Sequence, residues 1–138
     1  KKLSSNELAY LNHLITNHES ENTWRMDPVE VQIPSGAKLH FNILSNPLAR
    51  AREIIGDAFQ TAGNGEIIEA AAYLYAELVK EHLFKDANRR VAVLATYWLL
   101  NSHAVEIDPL KLHEIPLGDL RAPGSLDELT TKIRGLGA

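Results

Sequence analysis

The chain has 138 residues, about one domain's worth, and at that size an independent core is feasible. It is 45% hydrophobic and 23% charged, which excludes collagen-like, disordered and coiled-coil readings. With 14 basic and 18 acidic residues the formal net charge is -4, which argues against a general nucleic-acid binder. There is no cysteine, so disulfides, thiolate zinc sites and cysteine nucleophiles are impossible, and a cytoplasmic protein is favoured. No stretch approaches the ~18 apolar residues of a membrane span. The first residues turn polar at once, which predicts no signal peptide.

The pattern predicts a single, mainly α-helical domain over residues 1–138 with one small β-hairpin. Ser4 and Glu7 make a capping-box pair ahead of Leu8, Leu11, Leu14 and Ile15, so a first helix is expected over about residues 6–17. Residues 19–27 are polar and read as a loop. Trp24-Arg25 reads most simply as a loop anchor, with a partner contact as the other reading.

Val29, Val31 and Ile33 then alternate with Glu30 and Gln32, and Leu39 and Phe41 alternate with Lys38 and His40. Pro34-Ser35-Gly36 lies between the two runs, which is a hairpin signal. Ser45 or Asn46 is expected to cap a second helix, with Pro47 in its first turn. Its apolar face is Leu48, Ala51, Ile54, Ile55, Ala58 and Phe59, and Gly63-Asn64-Gly65 ends it. A third helix runs from about Glu66 and frays near His82, with Ile67, Ile68, Ala71, Leu74, Tyr75 and Leu78 inward.

A fourth helix starts near Ala87 or Asn88. It is apolar on most sides through Val91, Leu94, Ala95, Trp98 and Leu99, so it is the expected central helix, ending near Asn101. Residues 107–116 read as irregular or as short turns. Ser125 and Glu128 make a second capping box for a last helix through Leu129 and Ile133, stopped at Gly135.

The chemistry concentrates in His82-Leu83-Phe84-Lys85-Asp86-Ala87-Asn88-Arg89-Arg90, between two strongly predicted helices. The N-terminus of a helix offers unpaired N–H groups and partial positive charge to an anion. Small Ala87 lets an anion approach the backbone, and Arg89 and Arg90 bring forked donors that match phosphate oxygens. Asp86 is a hard oxygen ligand suited to magnesium on a phosphate. His82 can take a proton near neutral pH, and Phe84 can plug the loop into the core. Taken singly, each residue has a plainer reading as a helix cap, a surface histidine or a solvated cation; their conjunction carries the argument. No zinc spacing, Walker A loop or three-glycine dinucleotide motif is present.

This segment resembles the Fic/Doc (Fido) signature, His-x-Phe-x-Asp/Glu-x-Asn-x-Arg, at every fixed position: His82, Phe84, Asp86, Asn88 and Arg90. A chance match is on the order of one in ten thousand or less at average residue frequencies. The resemblance implies a Fic-fold helical bundle with a hairpin flap that aligns the target as an added strand. It also implies transfer of a phosphate-containing group from ATP or another nucleotide to a protein hydroxyl. In that reading His82 is the general base and Asp86 holds Mg2+. Asn88 and the N–H groups from Ala87 to Arg90 cradle the anion, and Arg90 neutralises phosphate charge.

AMP-transferring members carry glycine where this chain has Arg89, and often glycine where it has Ala87. Doc-like members share the alanine and have lysine at the Arg89 position. They also tend to lack the further arginine that many AMP-transferring members have where this chain has Val93. The resemblance is therefore closer to the Doc-like branch, which transfers a terminal phosphate. The alternatives are AMP transfer (AMPylation) and a catalytically silent nucleotide-binding regulatory module. Ser102 to Glu106 comes nearest to the family's inhibitory motif but is followed by Ile107, so an inhibitor is expected on a separate chain, as in a toxin–antitoxin pair. The expected partner is a protein substrate, with neither nucleic acid nor membrane involved.

Overall fold

The computed structural model describes residues 2–16, 24, 29–32, 38–41, 46–84 and 87–136. Six helices and two strands lie among them: α1 (Ser5–Thr16), β1 (Val29–Gln32), β2 (Lys38–Phe41), α2 (Pro47–Gly63), α3 (Ile67–Glu81), α4 (Asn88–Ser102), α5 (Pro109–Glu114) and α6 (Ser125–Leu136). The fold is mainly helical, as the sequence pattern implies.

The first capping box forms as expected. Glu7 N–H donates to Ser4 Oγ, and Ser4 N–H donates to Glu7 Oε1, both at 3.1 Å. Asn46 caps α2 by accepting from Ala49 N–H at 3.0 Å, with Pro47 at the first helical position; the other candidate, Ser45, lies outside the described residues. The strands pair antiparallel, Val29 opposite Phe41 and Val31 opposite Leu39. The proposed turn at Pro34-Ser35-Gly36 and the strand position at Ile33 fall outside the described residues.

The centre of the bundle is shared by two helices. α3 packs against α2, α4 and α6, while α4 packs against α3, α1 and α5. A run of small residues on α3, Ala70, Ala71 and Ala72, is buried and lets neighbouring helices approach. Tyr75, Leu74, Val91, Leu99 and Leu100 fill the space around them. α6 closes the bundle through buried Leu129 and Ile133 and through an ion pair between Arg134 Nη2 and Glu69 Oε2 at 2.6 Å. Burying two such side chains is worth about 1.5–3 kcal/mol each, whereas the exposed ion pair is screened by solvent, so packing holds α6 in place.

Four local expectations are corrected. Residues 109–114 form a helix, because Asp108 accepts from Leu110 N–H at 2.9 Å and Pro109 sets the first turn. The second capping box does not form: Ser125 is already inside α6 and its hydroxyl donates to the Leu120 carbonyl, while Glu128 N–H bonds the Gly124 carbonyl. Gly135 lies within α6 and does not stop it. Leu14 is 60% exposed, on the same side of α1 as exposed Tyr10, so the buried stripe runs through Leu8 instead.

Thr96 is fully buried in α4, and its hydroxyl has no hydrogen-bond partner among the described residues. A desolvated hydroxyl without a partner costs on the order of 1–3 kcal/mol. Thr96→Val keeps the shape and removes the polar group. It is expected to raise the urea midpoint at unchanged m-value, a gain of roughly 1 kcal/mol; a lowered midpoint contradicts this account.

Candidate functional site

The site is built where α3 ends and α4 begins. α3 stops at His82, which adopts the left-handed conformation (φ 53°, ψ 57°), the usual place of a C-terminal glycine. α4 is entered from Ala87, also left-handed (φ 59°, ψ 21°). Two non-glycine residues with positive φ therefore bracket the loop. Left-handed backbone costs an L-residue roughly 1–2 kcal/mol, so surrounding contacts must impose this geometry. The positive φ of Ala87 was not legible in the sequence, because alanine is not a residue that favours left-handed backbone.

Asn88 imposes much of the geometry. Its side chain is buried, and its amide grips the backbone of Phe84 at both polar groups. Phe84 N–H donates to Asn88 Oδ1 and Asn88 Nδ2 donates to the Phe84 carbonyl, each at 2.9 Å. The amide imitates a neighbouring β-strand, and only a group with one acceptor and one donor can do so. The family resemblance implied a side chain that helps cradle an anion; in the structure the amide is bonded to the Phe84 backbone. Phe84 is 2% exposed and does plug into the core. Its ring stacks on half-buried Trp24 with centroids 4.8 Å apart and planes at 23°, and the two residues form an isolated antiparallel bridge.

At the start of α4 the first helical acceptor–donor pair is the Ala87 carbonyl with Val91 N–H, at 2.9 Å. The N–H groups of Asn88, Arg89 and Arg90 thus precede the intrahelical ladder, as first-turn donors do. Arg90 is exposed and makes no hydrogen bond or ion pair among the described residues. Val93 is buried in the core.

The expected placement of the Arg89 side chain on an anion is corrected. Its Nε donates to Tyr75 Oη at 3.1 Å, and its Nη2 donates to the carbonyls of His113 and Ile115. Tyr75 Oη in turn donates to the Leu112 carbonyl at 3.0 Å. The carbonyls of Leu112 and His113 lie in the last turn of α5 and that of Ile115 follows it directly, where the helix end carries partial negative charge, so Arg89 acts as a cationic C-terminal cap. Burial pushes the Tyr75 phenol above its ordinary value of 10.0, with Arg89 opposing the shift.

A second cluster fixes the end of α3 from the other side. Arg50 on α2 contacts Glu53 at 2.6 Å, Glu77 at 2.8 Å and Glu81 at 3.1 Å. Burial acts to lower the pKa of Arg50, but Glu81, Glu77 and Glu53 raise it overall, so the cation is kept. Glu81 is the residue immediately before His82, which is half-buried at the end of the helix. The sequence offered one faint sign of this cluster, two glutamates four apart on a helical face. Asp86, the expected metal ligand, lies outside the described residues. Among the described residues no group of three or more histidines, aspartates or glutamates could hold a metal, and no helix is long and apolar enough to cross a membrane.

The family model described as "Fic/DOC family" matches residues 2–100. The fold is similar to the crystal structure of a Fic domain-containing signaling protein from Bacteroides thetaiotaomicron VPI-5482, with a TM-score of 0.67 at 17% sequence identity. The alignment covers 98% of this chain and 58% of that one, so the chain spans little more than half the length of that protein. None of the curated proteins matches the chain.

Two outcomes follow from the geometry. Ala87→Gly relieves the left-handed strain and loses part of the gain to the freer unfolded chain, so it is expected to stabilise by about 0.5–1 kcal/mol in urea unfolding. The raised Tyr75 pKa contributes stability that is intact below about pH 10, the unfolded value, and is lost as pH climbs through the folded value. Alkaline titration of stability should therefore fall less steeply in Tyr75→Phe than in the parent protein; an unchanged slope would remove Tyr75 from this role.

Proposed function

The chain belongs to the Fic/DOC family, and on that premise we propose that it transfers the terminal phosphate of ATP, or of another nucleotide, to a hydroxyl side chain of a target protein. The observation that carries this reading is the loop geometry. A strained turn, held by Asn88, leads into first-turn N–H groups of α4 with exposed Arg90 beside them. Such an arrangement suits catalysis by positioning and charge stabilisation.

In this proposal His82 takes the proton from the incoming hydroxyl. The hydroxyl oxygen then forms a bond to the γ-phosphorus, and the bond from that phosphorus to the nucleoside diphosphate breaks. The N–H groups from Asn88 to Arg90 hold phosphate oxygens, and the Arg90 guanidinium offsets their charge. Asp86, as a hard carboxylate donor, would hold Mg2+, which supplies charge neutralisation to the phosphates when bound. The β1–β2 hairpin would align the target segment as an added strand. A toxin role, with a separate antitoxin chain as inhibitor, belongs to the same reading.

One observation favours AMP transfer as a second reading. The Doc-like assignment rests on Ala87, on the absence of an arginine at Val93 and on a long cation at Arg89, and the Arg89 guanidinium is committed to Tyr75 and the end of α5. The anion site then resembles that of members with glycine at this position.

ATP labelled separately at the α and γ phosphates, incubated with Mg2+, the protein and a cell lysate, separates these readings. Label transferred from γ alone is the expected result, label from α establishes AMP transfer, and no label from either leaves a binding module. His82→Ala is expected to lower labelling by at least about 100-fold; undiminished labelling would remove His82 as the base.

A further inference from the structure

We propose that Trp24 is a positioning residue of the signature loop, fixing through Phe84 the frame in which His82 and the first-turn amides of α4 are presented. The loop between His82 and Asn88 carries left-handed, non-glycine backbone at both ends and does not hold that shape by local preference. Two contacts converge on Phe84. Asn88 holds the Phe84 backbone, and Trp24 holds the ring by stacking and extends the backbone pairing by an antiparallel bridge.

The two contacts differ in kind. The Asn88 amide comes from α4 itself, only four residues away in the chain. Trp24 comes from the segment that precedes β1, so its contact spans the sequence and ties the entry of the hairpin to the loop. The flat indole matches the flat phenyl ring, and neither a branched aliphatic side chain nor a small one reproduces that contact area and orientation. The backbone of Phe84 is fixed by Asn88, but the tilt of the loop about that hinge is set by the ring. His82 stands two residues before Phe84 and the α4 amides begin four after it, so both respond to that tilt.

The proposal rests on the transferase reading for its catalytic consequence alone; its structural part is tested without turnover. Hydrogen–deuterium exchange is measured on the parent protein, Trp24→Leu and Trp24→Phe, with melting temperatures alongside. Trp24→Leu should speed exchange of the amides of residues 84–88 by about three- to tenfold, the range an aromatic pair is worth. Exchange in α2 should stay unchanged, and Trp24→Phe should remain within about twofold of the parent. In the labelling assay Trp24→Leu should lower kcat more than it raises the KM for Mg-ATP, and Trp24→Phe should restore it. Loop exchange unaltered in Trp24→Leu, or raised equally in α2, overturns the proposal. A parent protein that neither binds Mg-ATP nor transfers label overturns the transferase reading, while the exchange pattern still decides the role of Trp24.

Discussion

A single carboxamide governs the form of this site. By meeting both backbone groups of Phe84, Asn88 turns a short connection between two buried helices into a closed, hydrogen-bonded ring. Each of those groups is buried and would cost on the order of 1–3 kcal/mol if left without a partner. Aspartate could accept from the N–H but not donate to the carbonyl, and a longer amide would not fit the same reach. Left-handed backbone at His82 and Ala87 flanks that contact on either side.

The two helices it joins explain why the loop cannot simply relax. α3 and α4 share the core, and their positions are fixed by packing over their whole length. The end of α3 is further restrained by Arg50 through Glu77 and Glu81, and the start of α4 by Arg89 through Tyr75 and the carbonyls of α5. Adjacent arginines thus have opposite fates. Arg89 is drawn inward to serve the fold, while Arg90 remains at the surface, where its charge is open to a ligand. An anion approaching the first turn of α4 would meet one cation already employed and one that has no partner among the described residues.

What could be read from the sequence was the local code. Apolar spacing located the main helices, Ser4 with Glu7 marked the first, Asn46-Pro47 opened the second, and the nine-residue signature located the loop. What could not be read depended on partners distant in the chain. The signature marked Arg90 as a fixed position, but nothing local showed that Arg89 would turn inward to the Tyr75 hydroxyl and to the carbonyls of His113 and Ile115. The pairing of Ser125 with Glu128 failed because the turn ending at Gly124, with φ +81°, places Ser125 one step too far into α6. The two apolar residues Tyr10 and Leu14 have helical spacing and still face outward, because periodicity gives a stripe without saying which stripe has a neighbour.

The clasp formed by α5 and α6 has a bearing on where this structural unit can be divided. The stretch matched by the family model ends at residue 100, yet the phenol of Tyr75 and the guanidinium of Arg89, both inside that stretch, find their acceptors beyond it. Ile133 and Leu129 roof the apolar side of α3. Excision at the family boundary would strip three acceptors from a buried polar group and a cation and bare an oily flank. The recognisable motif and the cooperative folding unit therefore have different borders, and the larger of the two is the piece of chain that keeps the loop in shape.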